Sequence, residues 1–188
     1  MTKIIIALIV LFSAESFAQV IIGDNLGTAS ADKKGSVLLE FAKNVSGNKN
    51  NKGLIVPYNR TLPANAVEGT ILLHAGSSGT DARMKFFNNT EWVDLSGEGA
   101  DVRSALAIQD GKIENSEAKV VIGDTSSVTT EGALVLESSV KAMILPVVES
   151  VDDIPDPSPG MIVYINKAGA KRLAVFNGVI WSFWEKQN

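Results

Sequence analysis

One ordered series of short motifs runs through this chain twice, and that duplication limits the possible folds more than any other feature. Val20-Ile21-Ile22-Gly23-Asp24 returns as Val120-Val121-Ile122-Gly123-Asp124. Gly35-Ser36-Val37-Leu38-Leu39-Glu40 returns as Gly132-Ala133-Leu134-Val135-Leu136-Glu137. Lys52-Gly53-Leu54-Ile55-Val56-Pro57 returns as Lys141-Ala142-Met143-Ile144-Leu145-Pro146, and Gly69-Thr70-Ile71-Leu72-Leu73 as Gly160-Met161-Ile162-Val163-Tyr164. Arg83-Met84-Lys85-Phe86-Phe87-Asn88-Asn89 returns as Arg172-Leu173-Ala174-Val175-Phe176-Asn177-Gly178, each followed by a Trp, Trp92 and Trp181. The order predicts two tandem units, 19–96 and 120–188, joined by a linker over 97–119. A repeat of this kind marks a modular structural or binding protein and names no ligand.

The motifs are short β-branched and aromatic runs punctuated by Gly, Pro and Asn, which read as strands and turns. The expected fold is mainly β: two tandem repeats of short strands and hairpins with minor helical turns, a plan that an elongated shape would also suit. The hairpins are the clearest elements. Asn88-Asn89 and Asn177-Gly178 can both adopt positive φ, as a tight two-residue turn requires. Such turns place Met84, Phe86, Val93 and Leu95 on one face, and Leu173, Val175, Ile180 and Trp184 on its counterpart. Glu91 and Ser182 are the polar members of these otherwise apolar faces, which are therefore expected to form the core.

The opposite face carries Arg83, Lys85, Phe87 and Trp92 in the first unit, and Arg172, Ala174, Phe176, Trp181 and Phe183 in the second. Two readings stand. These side chains cover a neighbouring strand or copy, or they form a surface for a partner or a glycan. A cation over a Trp face would contribute about 0.5–1 kcal/mol in either case. Arg83, Lys85, Phe87, Trp92, Arg172, Phe176, Trp181 and Phe183 are the candidate interaction residues.

The continuous apolar runs 71–73 and 161–165 read as strands buried on both faces. The runs 54–56 and 143–145 end at Pro57 and Pro146, which lack an amide donor and so close a strand or lie at an edge. Ser150-Val151-Asp152-Asp153 has the spacing of a helix start with an acidic third residue. Residues 43–51 are an Asn- and Lys-rich insertion in the first copy only, read as a surface loop. Within the linker, 102–108 reads as a short helix, with helix and strand both open for 105–108.

Residues 1–18 read as a secretory signal peptide: Lys3 opens it, an apolar run too short to span a bilayer follows, and Ser16-Phe17-Ala18 supplies the small-x-small cleavage signal. The expected product is exported, to the periplasm or the cell surface, with no transmembrane segment and no recognisable C-terminal sorting domain. The chain has no Cys, so disulfides and lipidation at an N-terminal Cys are excluded. Its net charge of −4, without clusters of Lys and Arg, argues against nucleic acid.

Taken together, the pattern I-G-D, G-x-x-L-E, K-G-x-x-x-P, G-x-x-x-Y and F-N-G-x-x-W resembles modules in exported Bacteroidota surface proteins and the shaft and neck segments of phage tail-fibre-like proteins. The matching positions are Lys141, Pro146, Gly160, Tyr164, Phe176, Asn177, Gly178 and Trp181, and in the first copy Lys52, Gly53, Pro57, Gly69, Phe87, Asn88 and Trp92. The first copy departs by having Leu73 or His74 in place of Tyr and Asn89 in place of Gly. The resemblance implies β-rich, complex-forming parts without catalysis, and a homotrimer on its strength alone.

Signals for chemistry are sparse. The single histidine, His74, ends an apolar strand with no nucleophile–acid arrangement in sight. Glu149, Asp152, Asp153 and Asp156 are the densest acidic group but lack the alternating pattern of a calcium loop. Three Asn-x-Ser/Thr triplets begin at Asn44, Asn59 and Asn88; Asn88 is better explained by its turn. The expectation is a non-enzymatic subunit of an envelope or surface assembly, such as a fibre, an adhesin or an outer-membrane-associated complex, with protein partners and no cofactor or metal. The alternative is a module binding a glycan or cell-surface polymer.

Overall fold

The computed structural model describes residues 19–23, 26–43, 51–115, 118–123 and 132–184. The expected leader, Asp24, Asp124 and most of the Asn-rich insertion lie outside them.

In chain order, β1 (Val20–Ile22) and a 3-10 turn (Ala31–Ser36) lead into β2 (Val37–Phe41). Then come β3 (Leu54–Ile55), β4 (Tyr58–Asn59), β5 (Ile71–His74), β6 (Arg83–Phe87) and β7 (Trp92–Asp94). A short helix α1 (Arg103–Leu106), continued by a 3-10 turn (Ala107–Gln109), resolves 105–108 as helical. The second copy gives β8 (Val120–Gly123), β9 (Leu134–Glu137), β10 (Ala142–Met143), β11 (Val147–Val148), a 3-10 turn (Val151–Asp153), β12 (Met161–Ile165), β13 (Arg172–Phe176) and β14 (Trp181–Trp184). The protein is mainly β, and its sheets are open rather than closed into a barrel.

Matched motifs form matched elements. β1 pairs parallel with β2, and β8 pairs parallel with β9. The order β4-β5-β6-β7 recurs as β11-β12-β13-β14, with the first pair parallel and the rest antiparallel. Two strands cross between copies. β3 of the first copy pairs antiparallel with β12 of the second, Leu54 opposite Ile162. β10 of the second pairs parallel with β2 of the first, Met143 opposite Leu39.

The two hairpin sheets pack face to face. Leu73, Met84 and Leu95 from the first meet Ile162 and Val175 from the second, with Phe86 and Leu173 packed alongside. Side chains alternate across a strand, so the period-two apolar faces of both copies must turn inward together. Fully burying residues such as Leu73 or Val175 contributes about 1.5–3 kcal/mol each. Ala100, Val102 and Leu106 of the linker close the same cluster. β12 is buried on both faces: Ile162 joins this shared core, while Met161, Val163 and Ile165 join a second cluster with Ala174, Phe176, Val148 and Ile154.

The hairpin turns sit one residue later than expected. Asn88 pairs across with Glu91, and Asn177 with Ile180, so the turn centres are Asn89-Thr90 and Gly178-Val179. Each Asn carbonyl oxygen accepts two amides instead: Thr90 and Glu91 on Asn88, Val179 and Ile180 on Asn177. A short polar side chain that accepts from the amides two and three residues on starts a turn rather than occupying its centre. Pairing shifts by two residues, Phe87 opposite Trp92 and Phe176 opposite Trp181, and a shift of two leaves every side chain on its expected face.

Elsewhere, Ser150 caps the 3-10 turn as its spacing predicts, accepting from Asp152 N–H while Asp153 accepts from Ser150 N–H. Among the described residues, one charged side chain lies in the interior. Glu40 is fully buried, with its carboxylate held by Gln19 Nε2 at 2.6 Å, Ala29 N–H at 2.6 Å and Lys34 Nζ at 3.2 Å. These bonds satisfy the charge and lash the 26–36 segment to β2.

Candidate interaction surface

The eight candidate residues occupy the two outer faces of the stack. Arg83, Lys85, Phe87 and Trp92 point away from the shared core on one side; Arg172, Phe176, Trp181 and Phe183 do so on the other. They therefore form two separate groups, not one surface.

In the first group all four side chains are partly buried. Phe87 and Trp92, directly opposite in the ladder, lie with ring centroids 5.3 Å apart and planes at 45°. Arg83 reaches Asp81 at 3.0 Å and Asp94 at 2.8 Å, and also donates to the Gly97 carbonyl. Hydrogen bonds to the two carboxylates raise its already high pKa, so it stays charged. Burial pushes the Asp94 carboxyl up, but hydrogen bonds from Arg83, from Ser96 N–H and hydroxyl and from Gly97 N–H outweigh it and leave the pKa lowered.

In the second group the equivalent ring pair recurs: Phe176 and Trp181, 5.2 Å apart at 42°. Here the face is covered. Phe176 and Ala174 are buried beneath the 147–154 segment, with Trp181 against them. Phe183, 43% exposed, is the outlier; the Arg172 guanidinium stands 4.7 Å from its ring centre. Stacking of a cation on an aromatic was foreseen for Trp, and Phe183 takes that place. Beside it, Trp184 lies at the rim of the shared core. Its edge meets Phe86 at 6.4 Å, and its indole N–H donates to the Leu95 carbonyl.

Sequence reasoning missed the buried Asn177. Its amide donates to the Glu98 carbonyl at 2.7 Å, and Ser182 donates to the Ser96 carbonyl at 2.6 Å, so the linker's start is stitched onto the second hairpin. The signal was present in the departure between copies. Gly178 has φ +118°, and a Cβ there would meet Val102 at 2.9 Å, whereas Asn89 has φ 76° on an exposed turn. Glycine stands where the backbone is both twisted and packed upon.

His74 ends β5 opposite Arg83; burial, with Lys85 nearby, lowers its pKa. Among the described residues no three His, Asp or Glu side chains are grouped closely enough to hold a metal ion. An open cleft of about 290 Å³ runs between β3 and the 154–156 segment, lined by Asn51, Ile55, Pro155, Asp156 and Met161. Among the described residues no helix is long and apolar enough to cross a membrane. The chain matches no family model, and no curated protein or solved structure matches it significantly.

Proposed function

We propose that this chain is a non-enzymatic, exported structural subunit of a cell-envelope or surface assembly. The observation that carries the reading is the exchange of strands between copies: β3 is added to the second copy's sheet and β10 to the first copy's. Sheets completed by a strand from a different unit are the geometry by which β modules join into larger bodies. The two copies also share one core, so neither hairpin buries its apolar face alone. Affinity capture of the tagged chain from the envelope of the cell that makes it tests this. The expected result is an intact complex heavier than one chain; a lone monomer throughout rejects the reading.

A second reading rests on Phe183, 43% exposed on the outer face of β14 with the Arg172 guanidinium over its ring. An exposed ring beside a cation suits a glycan or cell-surface polymer. Quenching of Trp fluorescence on titration with polysaccharides supports that reading, and a flat response across a broad panel removes it.

A further inference from the structure

The internal repeat supplies its own control for what should lie against β9. β2 has neighbours on both edges, β1 on one and β10 on the other, and its Val37 and Leu39 are 4% and 0% exposed. β9 is the matching strand, and among the described residues it pairs only with β8. Its Leu134, the match of Val37, is 42% exposed. The covering strand in the first copy, β10, is the Lys141–Pro146 motif. The same motif in the first copy, residues 52–57, forms β3.

We infer that the open edge of β9 takes β3 of a second copy of this chain. Backbone direction agrees on both sides. Val120 N–H donates to the Ala133 carbonyl, so along β9 the odd residues face β8 and the polar backbone groups of Leu134 and Leu136 face outward. On β3, Val56 N–H donates to Gly160, and alternation turns the Ile55 amide away from β12. In the covered copy, Ile144 N–H donates to the Leu39 carbonyl at 2.9 Å. Transferred by the motif match, Ile55 N–H of one chain donates to the Leu136 carbonyl of the next, in a parallel pair that sets Gly53 against Leu134 and Leu54 against Leu136. Ile55 is 47% exposed. The contact joins two different surfaces, so repetition builds a ring or a filament rather than a two-fold dimer.

The inference names a partner for the subunit reading and rests on it only for its biological setting. The chain has no Cys, so cysteines placed at Leu54→Cys and Leu136→Cys are the only thiols. With a short bismaleimide, the double variant of the full chain is expected to give a ladder of multiples, and an equimolar mixture of the two single variants a dimer. Each single variant alone stays one chain. Ile55→Pro removes the outward amide without touching the bonds to β12, and is expected to return the sedimenting mass to one chain while the β-type circular dichroism is kept. Absence of interchain product, a link formed only within one chain, or an Ile55→Pro protein that assembles like its parent overturns the inference. Envelope capture that finds other partners without this cross-link leaves the subunit reading standing. The cross-link together with an empty envelope capture does the reverse.

Discussion

The two hairpins begin with the same turn and end in different surroundings. Asn88 and Asn177 each fold an amide side chain over the N–H groups two and three residues on, and each turn is flanked by a tilted Phe–Trp pair of nearly equal geometry. Around the first turn there is solvent; around the second, the Glu98 carbonyl of the linker accepts from the Asn177 amide and the Val102 side chain packs close to Gly178. The outer face of the first hairpin is half-covered, while that of the second has a full apolar cluster over it. Local sequence sets the turn and the ring pair; the company of other segments decides how much each contributes to stability.

The sharpest way to break that comparison is to truncate the matched phenylalanines. Phe176→Ala opens a cavity in the second cluster and is expected to cost about 3–5 kcal/mol in denaturant unfolding. Phe87→Ala removes a half-exposed ring and should cost about 1 kcal/mol. Equal losses would mean that the first hairpin's outer face is closed over in solution and the asymmetry is not real.

The matched asparagines give a smaller contrast. Asn177→Ala removes the turn's acceptor and the buried amide that donates to the Glu98 carbonyl, an expected loss of about 1–3 kcal/mol. Asn88→Ala removes an acceptor from amides that water can reach, with an expected loss of about 0.5–1 kcal/mol. Urea midpoints of the two variants, measured side by side, decide it; an Asn177→Ala protein as stable as Asn88→Ala would detach the linker from the second hairpin.

These contrasts also mark how far sequence carries. The facing sides of both hairpins were readable because apolar residues alternate with period two, from Met84 to Leu95 and from Leu173 to Val175; Trp184, expected in the core, lies only at its rim and is 43% exposed. That reading survived a turn placed one residue early, since the resulting two-residue slip preserves the faces. The capped turn at Ser150 was readable because its signal is local. The crossing of β3 onto β12 was not, because Leu54-Ile55 is a two-residue strand whose partner lies more than a hundred residues away. Nor was the division of the aromatic and cationic residues into two outward groups, which follows from the stacking of whole sheets and not from any one strand. The burial of Glu40 depends on Ala29 and Lys34 folding back over it, and nothing beside Glu40 in the chain encodes that.

The smallest effect separates the matched arginines. Arg172 stands over the Phe183 ring, whereas Arg83 reaches two carboxylates whose charge acid removes. Burial raises the Asp94 pKa, but its hydrogen bonds from Arg83, Ser96 and Gly97 bring the net value below the ordinary 3.8. The unfolded chain therefore binds that proton more readily than the folded one. The stabilisation is fully present above the unfolded value and is lost as pH falls through the lowered folded value. Because the pair is partly exposed, solvent screening holds it to roughly 0.5 kcal/mol or less. Acid should accordingly loosen the first hairpin before the second. Hydrogen exchange measured between neutral pH and pH 3 is expected to show protection falling earlier in β6 and β7 than in β13 and β14, and Asp94→Asn to flatten part of that difference. Exchange that rises in step across both hairpins would show that they open as one unit and that the ion pairs at Arg83 confer no separate acid sensitivity.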